Sequence, residues 1–488
     1  MAQPNLQSIS DLATMRRFAI IYQAQFLVAL ERCAKLAREL EAATGRPVTQ
    51  EALAGLQAEL DAASANDAKN TETDKPSPSD PPEPRPKRPG HGPRPQPALE
   101  TVTRLFVLDE ADLACPACGG ELRPLSGQVE SSEMIDVIET KYELVIVQRQ
   151  KYTCRCGSCV ETAPGPDRVV AGGRFSLEFG LQVVLDKYLY HTPLERQVRM
   201  MAERNLEVDS QTLWDQLCVL SQDCKPTWEA LRKRILAGTV MGLDQTCWPN
   251  LDEGATKAWQ MWCLTSTDLV YHEICDDKSA ETFKKLIGKF QGTVVCDAAS
   301  AHAAGARGSP GVALSGCWAH VYRKYEEALP DYPDARVAVD LIKAMYEADR
   351  GAESASARAE VRRTVIRGHL DKLQQWLAQT MRTPRTTSLG KAMQYTLNNW
   401  LTLTRFVSAP DIWMDNNRTE RGVRGPVVGR RDHFGSKSRR GTEVAAIFYS
   451  LIESAKLAGV PVAKYLRAVI LANRANKGTV LLPGDFKA

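Results

Sequence analysis

Two short apolar runs, each closing on an aspartate, constrain this chain more than any other feature. Thr239-Val-Met-Gly-Leu-Asp244 and Thr293-Val-Val-Cys-Asp297 are too short for helices, and such runs form strands buried in a parallel or mixed sheet. Residues 258–265 and 269–274 predict a hairpin about Ser266-Thr-Asp268, and residues 280–290 predict a helix. Val312-Ala-Leu-Ser-Gly adds a further strand before Cys317-Trp-Ala-His320 and a helix carrying Arg323 and Lys324. Residues 330–407 then read as helix throughout. The fold expected is therefore multidomain, α+β and α/β, with a small mixed sheet set among helices.

The acids give that sheet its chemical interest. One aspartate at a strand end is ordinarily a turn or a cap. Two on neighbouring strands, with a third acid on a following helix, can converge on one point. Hard oxygen ligands of that kind suit Mg²⁺ or Mn²⁺. Two such ions astride a phosphodiester activate the attacking oxygen and stabilise the leaving one. Met414-Asp-Asn-Asn-Arg-Thr-Glu420 opens the following helix, with Asp415 expected as its N-cap.

A second constellation lies upstream. Cys115-Pro-Ala-Cys118-Gly-Gly and Cys154-Arg-Cys156-Gly-Ser-Cys159 place five of the 13 cysteines in a short stretch. Two such knuckles complete a tetrahedral structural zinc site, from Cys115, Cys118, Cys154 and either Cys156 or Cys159. A strand over residues 142–149 is expected between them, as a zinc ribbon over residues 101–165 requires.

Around these the organisation is helical. Residues 1–70 carry Leu12, Met15, Ala19, Tyr22, Phe26, Ala29, Cys33, Leu36 and Leu40 at coiled-coil spacing. That seam serves either self-association or a hairpin within the chain. Residues 71–100 form a linker, with ten of the 27 prolines and the basic Arg85, Lys87, Arg88 and Arg94. Residues 166–237 predict helices. Thr192-Pro-Leu-Glu195 reads as a capping box with proline in the first turn, and a second helix starts near Asp209, with Leu213, Leu217 and Leu220 inward. This layout is that of a helix-turn-helix, with Gln211, Thr212 and Asp215 early on the second helix, and equally that of any helical hairpin.

The balance of 62 Lys+Arg against 59 Asp+Glu gives a net charge of +3, so affinity for nucleic acid must come from local clusters. One is sharp. Arg418–Arg440 holds eight basic residues against two acids, a local net of +6 directly around Glu420. A stretch of one sign beside an acid constellation holds phosphates. With 43% hydrophobic residues the chain has material for real cores. No run of 18 apolar residues or secretory leader occurs, so no membrane partner is expected, and no Walker-type phosphate loop supports nucleotide hydrolysis.

The run Met414-Asp-Asn-Asn-Arg-Thr-Glu-Arg-Gly-Val-Arg-Gly-Pro-Val-Val-Gly-Arg-Arg, together with Cys317-Trp-Ala-His-Val-Tyr-Arg-Lys and Ala446-Ile-Phe-Tyr-Ser-Leu-Ile-Glu-Ser-Ala-Lys, resembles the Insertion Sequence 66 family of transposases. The coiled N-terminus, the Lys87-Arg-Pro-Gly-His-Gly linker, the ribbon and the C-terminal Leu481-Leu-Pro follow in that family's order. The resemblance implies an RNase H-like core over residues 238–329 and 408–445, interrupted by an all-α insertion over residues 330–407 and followed by a helical segment over residues 446–488. It implies an Asp-Asp-Glu triad at Asp244, Asp297 and Glu420 holding two Mg²⁺ ions, with one structural Zn²⁺ in the ribbon. Asp244-Gln-Thr departs from the family's usual Asp-Glu-Thr, and Asp297 lacks the tyrosines common after the second acid. Cys317 and His320 match a motif that is structural or that positions DNA. Arg421, Arg424, Arg430, Arg431, Lys437, Arg439, Arg440, Arg323 and Lys324 are the expected DNA contacts. The implied partners are terminal inverted repeats, target DNA, further copies of the chain and accessory proteins of the same element, in a bacterial cytoplasm at the nucleoid. A nuclease of the same fold, or a non-catalytic DNA-binding descendant, shares most of these signals.

Overall fold

Antiparallel pairing leads into parallel pairing across one five-stranded sheet, and this change of direction positions everything else. The computed structural model describes residues 103, 141–153, 160–251, 259–297, 300–380 and 383–487. All but residue 103 belong to one unit, residues 132–488. The expected coiled segment, the proline-rich linker and all five clustered cysteines lie outside the described residues.

The first described elements are β1 (Lys151–Thr153) and β2 (Val160–Thr162), an antiparallel pair. The strand expected over residues 142–149 is not formed. Those residues carry no regular structure, no strand pairs with them among the described residues, and Leu144 and Ile146 are exposed. A strand needs a partner to satisfy its backbone groups, and here only residues 151–153 have one.

Three helices follow: α1 (Leu177–Tyr188), α2 (Leu194–Ala202) and α3 (Ser210–Leu236). Ser176 and Asp209 cap α1 and α3 through their side chains. The capping box expected at Thr192 is absent. Pro193 is itself the N-cap, with ψ 148° and no side-chain bond, because its extended ψ places it outside the helix. α3 runs well beyond the two-helix layout read from the sequence. Its 27 residues bury Leu213, Leu217, Leu220, Leu231 and Ile235 in the same core as the sheet. Gln211 and Asp215 stay exposed, bonded to each other at 2.9 Å.

The sheet is built from β3 (Val240–Cys247), β4 (Gln260–Thr265), β5 (Val270–Cys275), then, after α4 (Ala280–Ile287), β6 (Gly292–Val295), and, after α5 (Ser300–Arg307), β7 (Val312–Ser315). Its order is β5-β4-β3-β6-β7, with β3, β4 and β5 antiparallel and β3, β6 and β7 parallel. Successive side chains alternate between faces. Met241, Leu243, Trp262, Leu264, Tyr271 and Val294 fill one face and join a large apolar core with α1 and α3. The outer edge of β5 is closed by serines one turn apart: Ser450 accepts from the His272 amide at 2.7 Å, and Ser454 accepts from the Val270 amide at 2.9 Å.

After β7 come α6 (Trp318–Ala328), α7 (Arg336–Arg350), α8 (Ala355–Val361), α9 (Arg367–Gln379), α10 (Ser388–Asn398) and α11 (Trp400–Leu403). Together with Val295 of β6 these helices share a second apolar core, and α7 to α11 occupy the stretch 330–407 expected to be helical. A π-helical stretch between α8 and α9 buries Arg362, whose guanidinium donates to the Phe406, Ala409 and Ile412 carbonyls and pairs with Asp349. One buried cation thus gathers the chain returning to the sheet. That chain forms α12 (Asn417–His433), then α13 (Arg439–Leu457) and α14 (Val462–Ala475). The division expected between residues 445 and 446 falls inside α13, which packs as one helix along β5.

Candidate active site

The second sheet face is made for a close neighbour. Gly242 and Asp244 point to it from β3, and Thr265 and Cys263 lie opposite them on β4. A Cβ at Gly242 would stand 2.1 Å from Thr419 Oγ1 and 2.5 Å from Thr265 Oγ1. The glycine therefore lets α12 lie directly on the sheet. Thr265 and Thr419 meet there in a buried hydroxyl pair at 2.8 Å, and Asn416 donates to the Leu243 carbonyl at 3.1 Å. Gly422 approaches Cys263 and Val270 in the same way. Glu420 occupies the first turn of this helix.

Register brings in the second aspartate. Gly242 of β3 pairs with Val295 of the parallel β6, so Asp244 and Asp297, each two residues on, share one level and one face. Asp244 does not close its strand as the sequence suggests. β3 continues to Cys247 along β4, while its pairing with β6 stops at Gly242. Asp244 is thus mid-strand on one side and open on the other. Burial raises its carboxyl to about 7, against the pull of the Gln245 amide at 2.8 Å, and the charges of Asp297 and Glu420 add to the rise. Asp415 is not among the causes. Asp297 and Glu420 are therefore both close enough to bear on the Asp244 carboxyl. Asp415 is also not the N-cap of α12. Asn416 holds that place without a side-chain bond, while the Asp415 carboxylate accepts from the Asn417 amide at 3.0 Å.

Two histidines flank the acids. His302 is fully buried against Trp262 and Phe283, with Nδ1 3.1 Å from the Asp297 carboxylate. His320 Nδ1 lies 3.7 Å from Glu420 Oε1. The sequence alone foresees neither contact. The available signal was spacing: His302 follows Asp297 by five residues, one helical turn beyond the strand end. Cys317, the N-cap of α6, accepts the Asn416 amide at 3.3 Å. The first turns of α6 and α12 are thereby tied together at the acids, and both helix N-termini carry partial positive charge there.

The expected basic contacts divide. Arg421, Arg424, Arg431, Lys437, Arg439, Arg440 and Arg323 are exposed. Arg424 stands one turn past Glu420 on the same helix. Arg430 instead bonds Thr246 at 2.9 Å and the Cys247 carbonyl, tying α12 to the end of β3. Lys324 lies over the Tyr395 ring at 4.9 Å, and Arg418 over Trp413 at 4.6 Å. No helix among the described residues is long and apolar enough to cross a membrane.

Residues 172–444 match the model of the family described as "Transposase IS66 family", and residues 112–157 match the zinc-finger binding domain of transposase IS66. The second match takes in Cys115, Cys118, Cys154 and Cys156 and stops short of Cys159. The chain is 28% identical to the uncharacterized protein y4jD of Sinorhizobium fredii, over 78% of this chain and 80% of the relative. It is 25% identical to y4qI of the same bacterium, over 82% and 79%. The first match spans the sheet, the helices over residues 330–407 and the helix that carries Glu420, and so the chain belongs to the IS66 family of transposases.

Proposed function

We propose that the protein is a DNA transposase with an RNase H-like core, which cuts at its element's ends and joins the freed 3′-OH to target DNA. The observation that carries this reading is the placing of Asp244 and Asp297 in register on one sheet face, with Glu420 on the helix packed against that face and both other acids raising the Asp244 carboxyl. The donor set fits hard divalent cations: three carboxylates, one of them with an oxygen buried and unpartnered at Glu420 Oε1. Asp244, Asp297 and Glu420 would hold Mg²⁺ or Mn²⁺, which supplies activation of the attacking oxygen and stabilisation of the leaving one. His302 would keep the Asp297 carboxylate oriented from its dry pocket. Arg424, Arg431, Lys437, Arg439 and Arg440 would hold phosphates along the flank of α12. The zinc-finger region would carry one structural Zn²⁺ on Cys115, Cys118, Cys154 and Cys156, and would contribute to recognising terminal repeats. Pairing of two ends calls for further copies of the chain, and the resemblance extends to accessory proteins of the same element.

The test is a cleavage and joining assay on DNA bearing the element's own ends. Asp244→Ala, Asp297→Ala and Glu420→Ala should each lower both steps by at least about a thousandfold, roughly 4 kcal/mol of lost barrier reduction, with end binding nearly unchanged. Normal transfer by Glu420→Ala would sink the triad assignment. Cleavage of intact ends with no joining of pre-cleaved ends would favour a nuclease. Zinc content of Cys156→Ser against Cys159→Ser identifies the fourth thiolate.

A further inference from the structure

The triad leaves one grouping unused. The ligand atoms of Cys317, His320 and Glu420 all lie within 4.8 Å of one another. His320 Nδ1 and Glu420 Oε1 are both buried without a hydrogen-bond partner, and they face each other at 3.7 Å, beyond a hydrogen bond. Two buried polar atoms left unbonded face to face are costly unless a positive charge, a proton on the imidazole or a metal ion, lies between them. A tetrahedral zinc ion, with bonds of about 2.0–2.1 Å to nitrogen and oxygen, sets two such atoms about 3.4 Å apart. The observed gap is that tetrahedral edge, open by a few tenths of an ångström.

The third corner is already shaped for the same task. Cys317 Sγ accepts from the Asn416 amide at 3.3 Å and also from the His320 amide. Burial pushes the Cys317 thiol up to about 12, and these two amides pull it only partly back toward the thiolate that an ion would bind. Cys317 and His320 sit in one turn at the start of α6, a C-x-x-H spacing that presents both donors to one ion. Sulfur with imidazole selects Zn²⁺-like ions over Mg²⁺. Sequence spacing alone supplied only two of these ligands. The third comes from 100 residues downstream of His320, on α12.

We infer that Cys317, His320 and Glu420 form a three-ligand site for a transition metal of the Zn²⁺ class, and that filling it withdraws Glu420 from Asp244 and Asp297. On binding, the thiol releases its proton to solvent and the sulfur bonds the ion, leaving the fourth position open to water. The second half of the inference rests on the triad proposed above. Under that reading, zinc and magnesium compete for one carboxylate, and zinc switches the site off.

The experiment uses the full chain, dialysed against buffered free zinc. Wild type should retain one zinc equivalent more than Cys317→Ser or His320→Ala, and Glu420→Gln should bind that equivalent at least tenfold more weakly. Serine serves as an N-cap, so Cys317→Ser preserves the start of α6. Zinc should also raise the unfolding temperature of wild type more than that of His320→Ala. Equal zinc content in all four proteins would overturn the site. In a second arm, zinc is titrated into magnesium-supported cleavage, and the inhibition midpoint should rise at least tenfold in His320→Ala. A difference in zinc content without any cleavage by wild type would overturn the transposase reading and leave the metal site standing. Cleavage with no difference in zinc content would do the reverse.

Discussion

The two faces of the five-stranded sheet are built by opposite rules. One is packed with Met241, Leu243, Trp262, Leu264 and Tyr271, each at most 2% exposed, against α1 and α3. The other, along β3, offers Gly242 and Asp244 with Thr265 and Cys263 beside them, where α12 adds a small apolar cluster of Cys263, Val270 and Val423. Large side chains on the first face bury area and stabilise. Small ones on the second give up that area so that α12 can approach and deliver Glu420. The core residues and the proposed site residues are thus interleaved along β3, alternating one by one.

The largest effect should separate the charged side from the apolar side. Neutralising Arg424, Arg431, Arg439 and Arg440 together should flatten the log–log salt dependence of DNA binding by about 3–4, since each phosphate contact contributes roughly 0.9. Random and specific DNA should weaken alike. Neutralising the exposed Lys233 and Arg234, at the end of α3 on the apolar side, should leave the slope unchanged. An unchanged slope in the first variant would mean that the α12 flank is only a solvated surface. Arg430 is kept out of the set because its guanidinium is engaged by Thr246 and Cys247.

A smaller effect comes from filling the glycine notch. Gly242→Ala must displace Thr419 or Thr265, and overpacking of this kind costs about 1–3 kcal/mol. Displacing α12 by about 1 Å should lower cleavage by up to about a hundredfold. Leu243→Ala, one residue on but facing the apolar core, should cost about 2–5 kcal/mol of stability, while leaving the cleavage rate per folded molecule within about threefold of wild type. Equal losses of activity per folded molecule would erase the distinction between the faces.

Much of this was legible in the sequence, and the failures have physical causes. Apolar runs located every strand of the sheet and the hairpin, because burial on both faces leaves a local trace. The strand expected over residues 142–149 had the same composition but no partner among the described residues. The cap expected at Thr192 failed on the ψ of Pro193, which no residue type fixes. The α3 hydrophobic repeat marked a helix but not its depth in the core. His302 follows Asp297 at a spacing too common to read alone, and the approach of His320 to Glu420 arises only from tertiary structure. So does the buried Arg362, which reads as one more surface arginine until its three carbonyl partners are seen.

The smallest effect is the most specific to the acid face. Asp244 keeps its proton up to about pH 7 when folded, whereas an ordinary aspartate loses it near 4. The folded state therefore binds more protons than the unfolded state across that window. Stability contributed by the neutral carboxyl is full below about pH 4 and declines as pH rises to about 7. Asp244→Asn removes the ionisation, so the variant should gain on wild type between pH 5 and 8, by about 1–2 kcal/mol after allowance for solvent screening. Saturating Mg²⁺ should close the gap, because binding stabilises only the protein that retains the carboxylate. Thermal unfolding at the two pH values, with and without magnesium, measures both. A gap that is the same at pH 5 and pH 8 would mean that Asp244 is not held neutral by burial and its acid neighbours, and the two faces would then differ in packing alone.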